Sequence, residues 1–128
     1  MIELEPGELQ GWVHAFVFTQ VVEVPLYVVA LSLRRLTVEL PPWKRVAVAF
    51  LCSLLTHPVV WFVFPRLIDS YYHYLQMVVA AETFAVVGET LILAGFGMRW
   101  RWALPVSFAT NMASMSLGFL FRYLFGWL

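Results

Sequence analysis

Four long apolar stretches, separated by short polar segments, set the pattern of the chain. Each is long enough to cross a bilayer, because about 20 residues at a rise of 1.5 Å per residue span the hydrocarbon core. The pattern predicts an all-α polytopic membrane protein, with one domain over residues 1–128 built as two helical hairpins. The predicted transmembrane helices cover about 12–33, 46–64, 74–97 and 103–124.

The composition agrees with this fold class. Hydrophobic residues make up 62% of the 128 residues and charged residues 12%, and the mean hydropathy is +0.80. Soluble domains carry about 25% charged residues, so the chain is typical of an integral membrane protein. Its one cysteine, Cys52, excludes an intramolecular disulfide framework and a site built from several cysteines.

The charges are distributed unevenly and predict the orientation. The polar segments 34–45 and 98–102 are basic, whereas the amino-terminal segment is acidic. The positive-inside rule therefore predicts that both basic loops are cytoplasmic and both termini outside, in a bacterial or archaeal cytoplasmic membrane. Contact with the lipid bilayer, and not with nucleic acid, accounts for the basic residues. Aromatic belts agree, with Tyr71, Tyr72 and Trp127 among the predicted outer-interface residues.

Ionisable residues interrupt the apolar spans and mark the candidate site. An acidic residue near the centre of a transmembrane helix costs about 2.5–3.5 kcal/mol on insertion scales, so such residues are retained for a reason. The residues predicted to bind an ion or substrate are Glu23, His57, Glu82, Glu89 and Asn111. The supporting residues predicted from the same polar stripes are Gln20, Tyr27, Ser53, Thr56, Ser107, Thr110 and Ser114.

Two chemistries fit this set of side chains. Oxygen ligands with one imidazole suit a divalent cation such as Zn²⁺, Mn²⁺ or Fe²⁺, with Glu23, His57 and Glu89 as the predicted metal ligands. Without a metal, the same carboxylates can carry protons, or they can be structural groups that bond to neighbouring helices. The residue types alone do not choose between these interpretations.

The two hairpins resemble each other. Ser53-Leu-Leu-Thr56-His57 in the second span matches Ser107-Phe-Ala-Thr110-Asn111 in the fourth, and each follows a span with a glutamate and a basic loop. Because both hairpins start on the same side, the pattern indicates a parallel internal repeat about an axis normal to the membrane. Chance similarity between apolar helices is the alternative.

Pro25 and Pro58 stand beside Glu23 and His57, respectively. A proline inside a helix removes one backbone hydrogen bond and frees a carbonyl one turn earlier. Freed carbonyls next to ionisable side chains are used by membrane proteins to bind ions or substrates. Packing alone is the other explanation for prolines in membrane helices.

Three functions remain open on the sequence. The first is a cation- or proton-coupled transporter or channel, with a homo-oligomer compatible with its short helices. The second is an intramembrane enzyme, with or without a metal, that acts on a lipid or peptide; no catalytic residue is assigned. The third is a structural subunit of a larger membrane complex. No nucleotide-binding, hydrolase or zinc-protease motif occurs in the chain.

Overall fold

A computed structural model describes residues 3–69 and 71–126, and 80% of the chain is helical. The elements are α1 (Glu8–Leu31), α2 (Pro42–Pro58), a π-helical turn (Val59–Val63), α3 (Phe64–Leu67), α4 (Tyr74–Gly95) and α5 (Trp100–Phe125). Within these residues, four helical segments are long and apolar enough to span a membrane: α1, the continuous run Pro42–Leu67, α4 and α5. The predicted all-α polytopic fold is confirmed.

The helix ends differ from the predicted spans by a few residues. Helix α1 begins at Glu8, directly after Gly7 in a left-handed conformation, and α5 ends at Phe125 before a left-handed Gly126, so both extend beyond the predicted starts or ends at the termini. Pro42 lies in the first turn of α2, where its missing N–H breaks no helical hydrogen bond. Helices α1 and α4 instead end two residues before the predicted positions 33 and 97, where the chain enters the turns of the basic loops.

The four long segments form a ring. Helix α1 packs against α2 and α5, and α4 packs against the same two helices. At one end, the loops 32–41 and 96–99 are joined by backbone hydrogen bonds from Val38 N to Gly97 O (3.1 Å) and from Arg99 N to Leu36 O (2.8 Å). Both basic loops therefore lie at this end, called the basic end below.

Gly97 is required by this junction. Its φ of +116° lies in the region that favours glycine, and a Cβ there would collide with the side chain of Val38. The close approach of the two loops thus depends on a residue without a side chain.

The opposite end holds both termini. Arg66 donates hydrogen bonds to both carboxylate oxygens of Glu8 at 3.0 Å and to the carbonyl oxygen of Glu3 at 2.6 Å. These bonds fasten the end of α3 to the start of α1. The two ends of the bundle are therefore distinct, and which of them faces the cytoplasm stays a prediction.

Two local features interrupt the regular helices. The run after Pro58 forms a π-helical turn, in which Phe64 N donates a hydrogen bond to Val59 O. Before α4, Asp69 accepts a hydrogen bond from Tyr71 N (2.9 Å), and His73 occupies the N-cap position of α4 without a side-chain hydrogen bond. Trp127, one of the predicted outer-interface residues, lies outside the described residues.

The apolar core lies in the half of the bundle next to the basic end. Tyr27, Leu31, Ala49, Cys52 and Leu93 are at most 1% exposed and form one cluster with their neighbours. In the half next to the termini, most large apolar side chains are exposed, as in the final turns of α5. An exposed apolar side chain on a membrane helix faces lipid or another protein chain.

Candidate functional site

A polar cavity of about 160 Å³ lies between all four long segments. It extends from the middle of the bundle toward the termini, and the apolar cluster closes it on the basic side. This volume is enough for several water molecules or a hydrated cation, since one water needs about 10–15 Å³ by this kind of measure. Its walls are formed by Ala15, Phe18, Thr19, Glu23, Ser53, Thr56, His57, Val60, Glu82, Ala85, Asn111, Ser114, Met115 and Gly118.

Glu23 lies at the closed end of the cavity. It is eight residues before the end of α1, which is about 12 Å along the helix axis. The Ser53 hydroxyl donates a 2.5 Å hydrogen bond to its Oε2, and the Ser114 hydroxyl lies close enough to interact with the same carboxyl group. Helices α2 and α5 thus both present a hydroxyl to a carboxyl group of α1.

Glu89 lies beside Glu23 but does not line the cavity. The amide of Asn111 donates a 2.5 Å hydrogen bond to its Oε2 and contacts the Tyr27 hydroxyl at 3.3 Å. Glu89 is fully buried, and its Oε1 has no hydrogen-bond partner among the described residues. The buried carboxyl groups of Glu23 and Glu89 lie near each other on different hairpins, and no hydrogen bond joins them among the described residues.

Glu82 is the outermost carboxylate of the site. It is half-buried in the cavity wall, two helical turns nearer the termini than Glu89. Among the described residues, the Glu82 carboxylate forms no ion pair. Unlike the carboxylates of Glu23 and Glu89, it also accepts no hydrogen bond. This carboxylate is therefore available to a ligand that enters the cavity.

His57 lines the opposite wall and is packed among aromatic rings. Its ring centroid lies 5.7 Å from Phe16, 6.4 Å from Trp12 and 6.3 Å from Trp61, with which it is stacked. Its Nδ1 is buried and has no hydrogen-bond partner within the described residues. The π-helical turn begins two residues later, after Pro58, and such turns are frequent at functional sites.

The supporting residues divide into four groups. Ser53, Thr56 and Ser114 line the cavity. Ser107 donates a 2.9 Å hydrogen bond to Val86 O and so fastens α5 to α4, and Thr110 is buried nearby. Gln20 lies outside the cavity and donates to Phe50 O at 3.3 Å. Tyr27 belongs to the apolar cluster and meets the site only through its hydroxyl.

The structure agrees with the suggested repeat only in part. Ala15 and Ala81 are both buried eight residues before their glutamate. The ring order α1, α2, α4, α5 is also the one that a two-fold axis along the bundle would produce. The hydrogen bonds differ, because Glu23 pairs with Ser53 and Glu89 pairs with Asn111, which are not equivalent positions of the two aligned segments. The parallel repeat stays a prediction.

The predicted metal ligands are not gathered at one point. In residues 3–69 and 71–126, no three His, Cys, Asp or Glu side chains are close enough to hold a metal ion. Glu23 and Glu89 are adjacent, but His57 lies elsewhere on the cavity wall. The metal site and a Zn²⁺, Mn²⁺ or Fe²⁺ ion remain predictions.

Comparison with known proteins finds no relative. The chain matches no protein-family model, no curated protein and no solved structure.

The predicted site residues do not cover the whole cavity wall. Thr19 lines the cavity and lies on the same helical face as Glu23, four residues later. Met115 and Gly118, whose side chains are not polar, form the α5 wall toward the termini. Their spacing from Asn111 by four and seven residues places them on one helical face with it, and this was the available signal.

Proposed function

We propose that this small integral membrane protein is a cation- or proton-coupled transporter or channel. The observation that carries the proposal is the polar cavity, which is lined by two carboxylates, an imidazole and an amide and is closed at one end. Buried ionisable residues in transmembrane helices mark ion paths and proton relays. Within the described residues, no basic side chain neutralises these carboxylates, so a cation or protons are the natural complement.

A relative motion of the two hairpins would change the geometry of this site. Glu23 and Glu89 belong to different hairpins, and each is held by a hydrogen bond within its own hairpin. A rocking motion of one hairpin against the other would separate the two carboxyl groups without breaking these bonds. Transporters built from repeats use this kind of motion around a site at the repeat interface. The exposed apolar faces are compatible with a homo-oligomer. The mass of the protein in nanodiscs would give the number of copies that associate.

Flux measurements in liposomes test the proposal. Wild-type protein should carry protons or a monovalent or divalent cation, and both Glu23→Gln and Glu89→Gln should abolish this flux because the amide cannot bind or release a proton. Glu39→Gln is the matched control, since Glu39 is exposed in a loop at the basic end. Unchanged flux of every tested ion in both variants, with the fold intact, would contradict the proposal.

An intramembrane enzyme is the second candidate, and the environment of His57 favours it. The imidazole lines a cavity that also holds carboxylates, and its Nδ1 has no partner among the described residues. A histidine with a free nitrogen near a carboxylate can act as a general base. Turnover of a lipid or peptide that His57→Ala abolishes, with ion flux absent from the wild type, would establish this function over transport.

A further inference from the structure

A second cavity lies on the outer side of the bundle between α4 and α5. It is an open groove of about 500 Å³, within the size range of small-molecule sites. Its walls are almost wholly apolar and include Val79, Val87, Leu104, Phe108, Met112 and Phe119. Most of these side chains are exposed, so the groove faces lipid if nothing else covers it.

The groove adjoins the polar cavity. Glu82 and Met115 line both, so the half-buried carboxylate stands where an apolar surface meets a polar one. Lipid-facing helix surfaces rarely carry a carboxylate, because the charge has no partner in hydrocarbon. Glu82 and Met115 therefore lie between the lipid side of the bundle and its interior.

The length of the groove suits one alkyl chain. Its α4 wall runs from Leu75 to Val87, which is about 18 Å at a rise of 1.5 Å per residue. One leaflet contributes about half of the 30 Å hydrocarbon core, and its acyl chains have a similar extent. Glu82 lies within this length, about 11 Å from Leu75 and about 8 Å from Val87 along the axis, so a chain whose headgroup is at Glu82 occupies one part of the groove and extends beyond its end.

We propose that the groove admits an amphiphile with a single alkyl chain and an ammonium headgroup, whose charge binds Glu82. The proposal rests on the transport function and names its substrate class. The alkyl chain lies between α4 and α5, and the ammonium group takes the ion-pair position that no described residue fills at Glu82. From there the headgroup can enter the polar cavity toward Glu23.

A second copy of the chain fits the groove less well. A two-fold interface places the same surface on both sides, so it would bring the Glu82 region of one copy toward that of its partner. Two carboxylates meeting in lipid have no neutralising charge there. An amphiphilic cation has an alkyl chain that can cover the apolar groove and a positive charge that can neutralise Glu82.

Photolabelling of the full chain in lipid vesicles tests this. The probe is an alkyltrimethylammonium with a diazirine at the end of its chain, compared with the uncharged alkyl alcohol of equal length. The cationic probe should label segments 75–87 and 104–119. Glu82→Gln should raise the probe concentration needed for half-maximal labelling about tenfold, as expected for the loss of a partly buried ion pair. Labelling by the alcohol should be the same in Glu82→Gln as in the wild type, and Glu39→Gln should not change labelling by either probe.

A groove-filling variant keeps the test independent of the charge. Val79→Trp should reduce labelling by both probes at these segments while the helical content is unchanged. Labelling of α1 and α2 to the same extent as α4 and α5 would overturn the proposal. Labelling of Glu82→Gln by the cationic probe at the same concentrations as the wild type would also overturn it. Cross-linking of two copies through Met112→Cys, with no labelling of the groove, would assign the groove to a dimer and also overturn it.

The same samples separate this inference from the proposed function. Ion or proton flux that depends on Glu23, without binding of the cationic probe, would exclude the amphiphile as the substrate and would still support the transport function. Binding of the probe without any flux, including flux of the probe itself, would remove the transport function and leave the groove as a binding site.

Discussion

The two halves of this bundle differ in what fills them. Next to the basic end, buried apolar side chains such as Leu31 and Leu93 form a closed core, and the two loops are tied together by backbone bonds. Next to the termini, the centre is a polar cavity, and many apolar side chains on the helices point away from it. The first half holds the four helices together, and the second is free to bind a ligand.

This difference indicates that the half next to the basic end stabilises the bundle and that the half next to the termini binds the ligand. Dispersion contacts are the main source of helix association in lipid, and they are concentrated at the closed half. A cavity gives up such contacts, so the half that contains it contributes less to stability. The carboxyl pair of Glu23 and Glu89 lies at the boundary, where the closed half positions it.

Truncation of a side chain in each half gives the largest expected contrast. Leu93→Ala should lower the free energy of unfolding by about 2–5 kcal/mol, because it leaves a cavity in the closed core. Met115→Ala should cost less than Leu93→Ala, since the Met115 side chain already borders open space and its loss opens no new enclosed cavity. Unfolding of both variants in mixed micelles measures the contrast, and equal losses would remove the distinction between the halves.

A smaller effect is expected at the boundary. Ser53→Ala removes the hydroxyl that donates to Glu23 and should cost about 0.6–1.7 kcal/mol, the range for hydrogen bonds between membrane helices. Ser116→Ala is the matched control, because Ser116 is exposed on α5 and its loss should change stability by less than about 0.5 kcal/mol. A Ser53 variant no less stable than the control would show that this contact does not join the helices.

The sequence predicted the membrane helices because each span must satisfy its own backbone in lipid, and only a long apolar helix does so. It also pointed to Glu23, His57, Glu82 and Asn111, which the structure places around one cavity. Their cost in lipid made them visible without any knowledge of their neighbours.

The remainder depends on packing between helices, which a single sequence does not encode locally. Glu82 and Glu89 are seven residues apart on one face, yet one lines the cavity and the other is enclosed behind Asn111. The register of α4 against α5 decides this. The apolar groove likewise has no pattern of its own, because its residues look like any lipid-facing surface.

The most direct test of the central claim is the accessibility of single cysteines to charged thiol reagents. In a Cys52→Ala background, Thr19→Cys places a thiol on the cavity wall, Val48→Cys places one in the closed core, and Arg35→Cys reports the basic end. The account predicts that Thr19→Cys reacts only from the side of the termini and faster with a cationic than with an anionic methanethiosulfonate, while Val48→Cys reacts from neither side. Equal reaction of Thr19→Cys from the side that labels Arg35→Cys, or a preference for the anionic reagent, would contradict a carboxylate-lined cavity closed at the basic end.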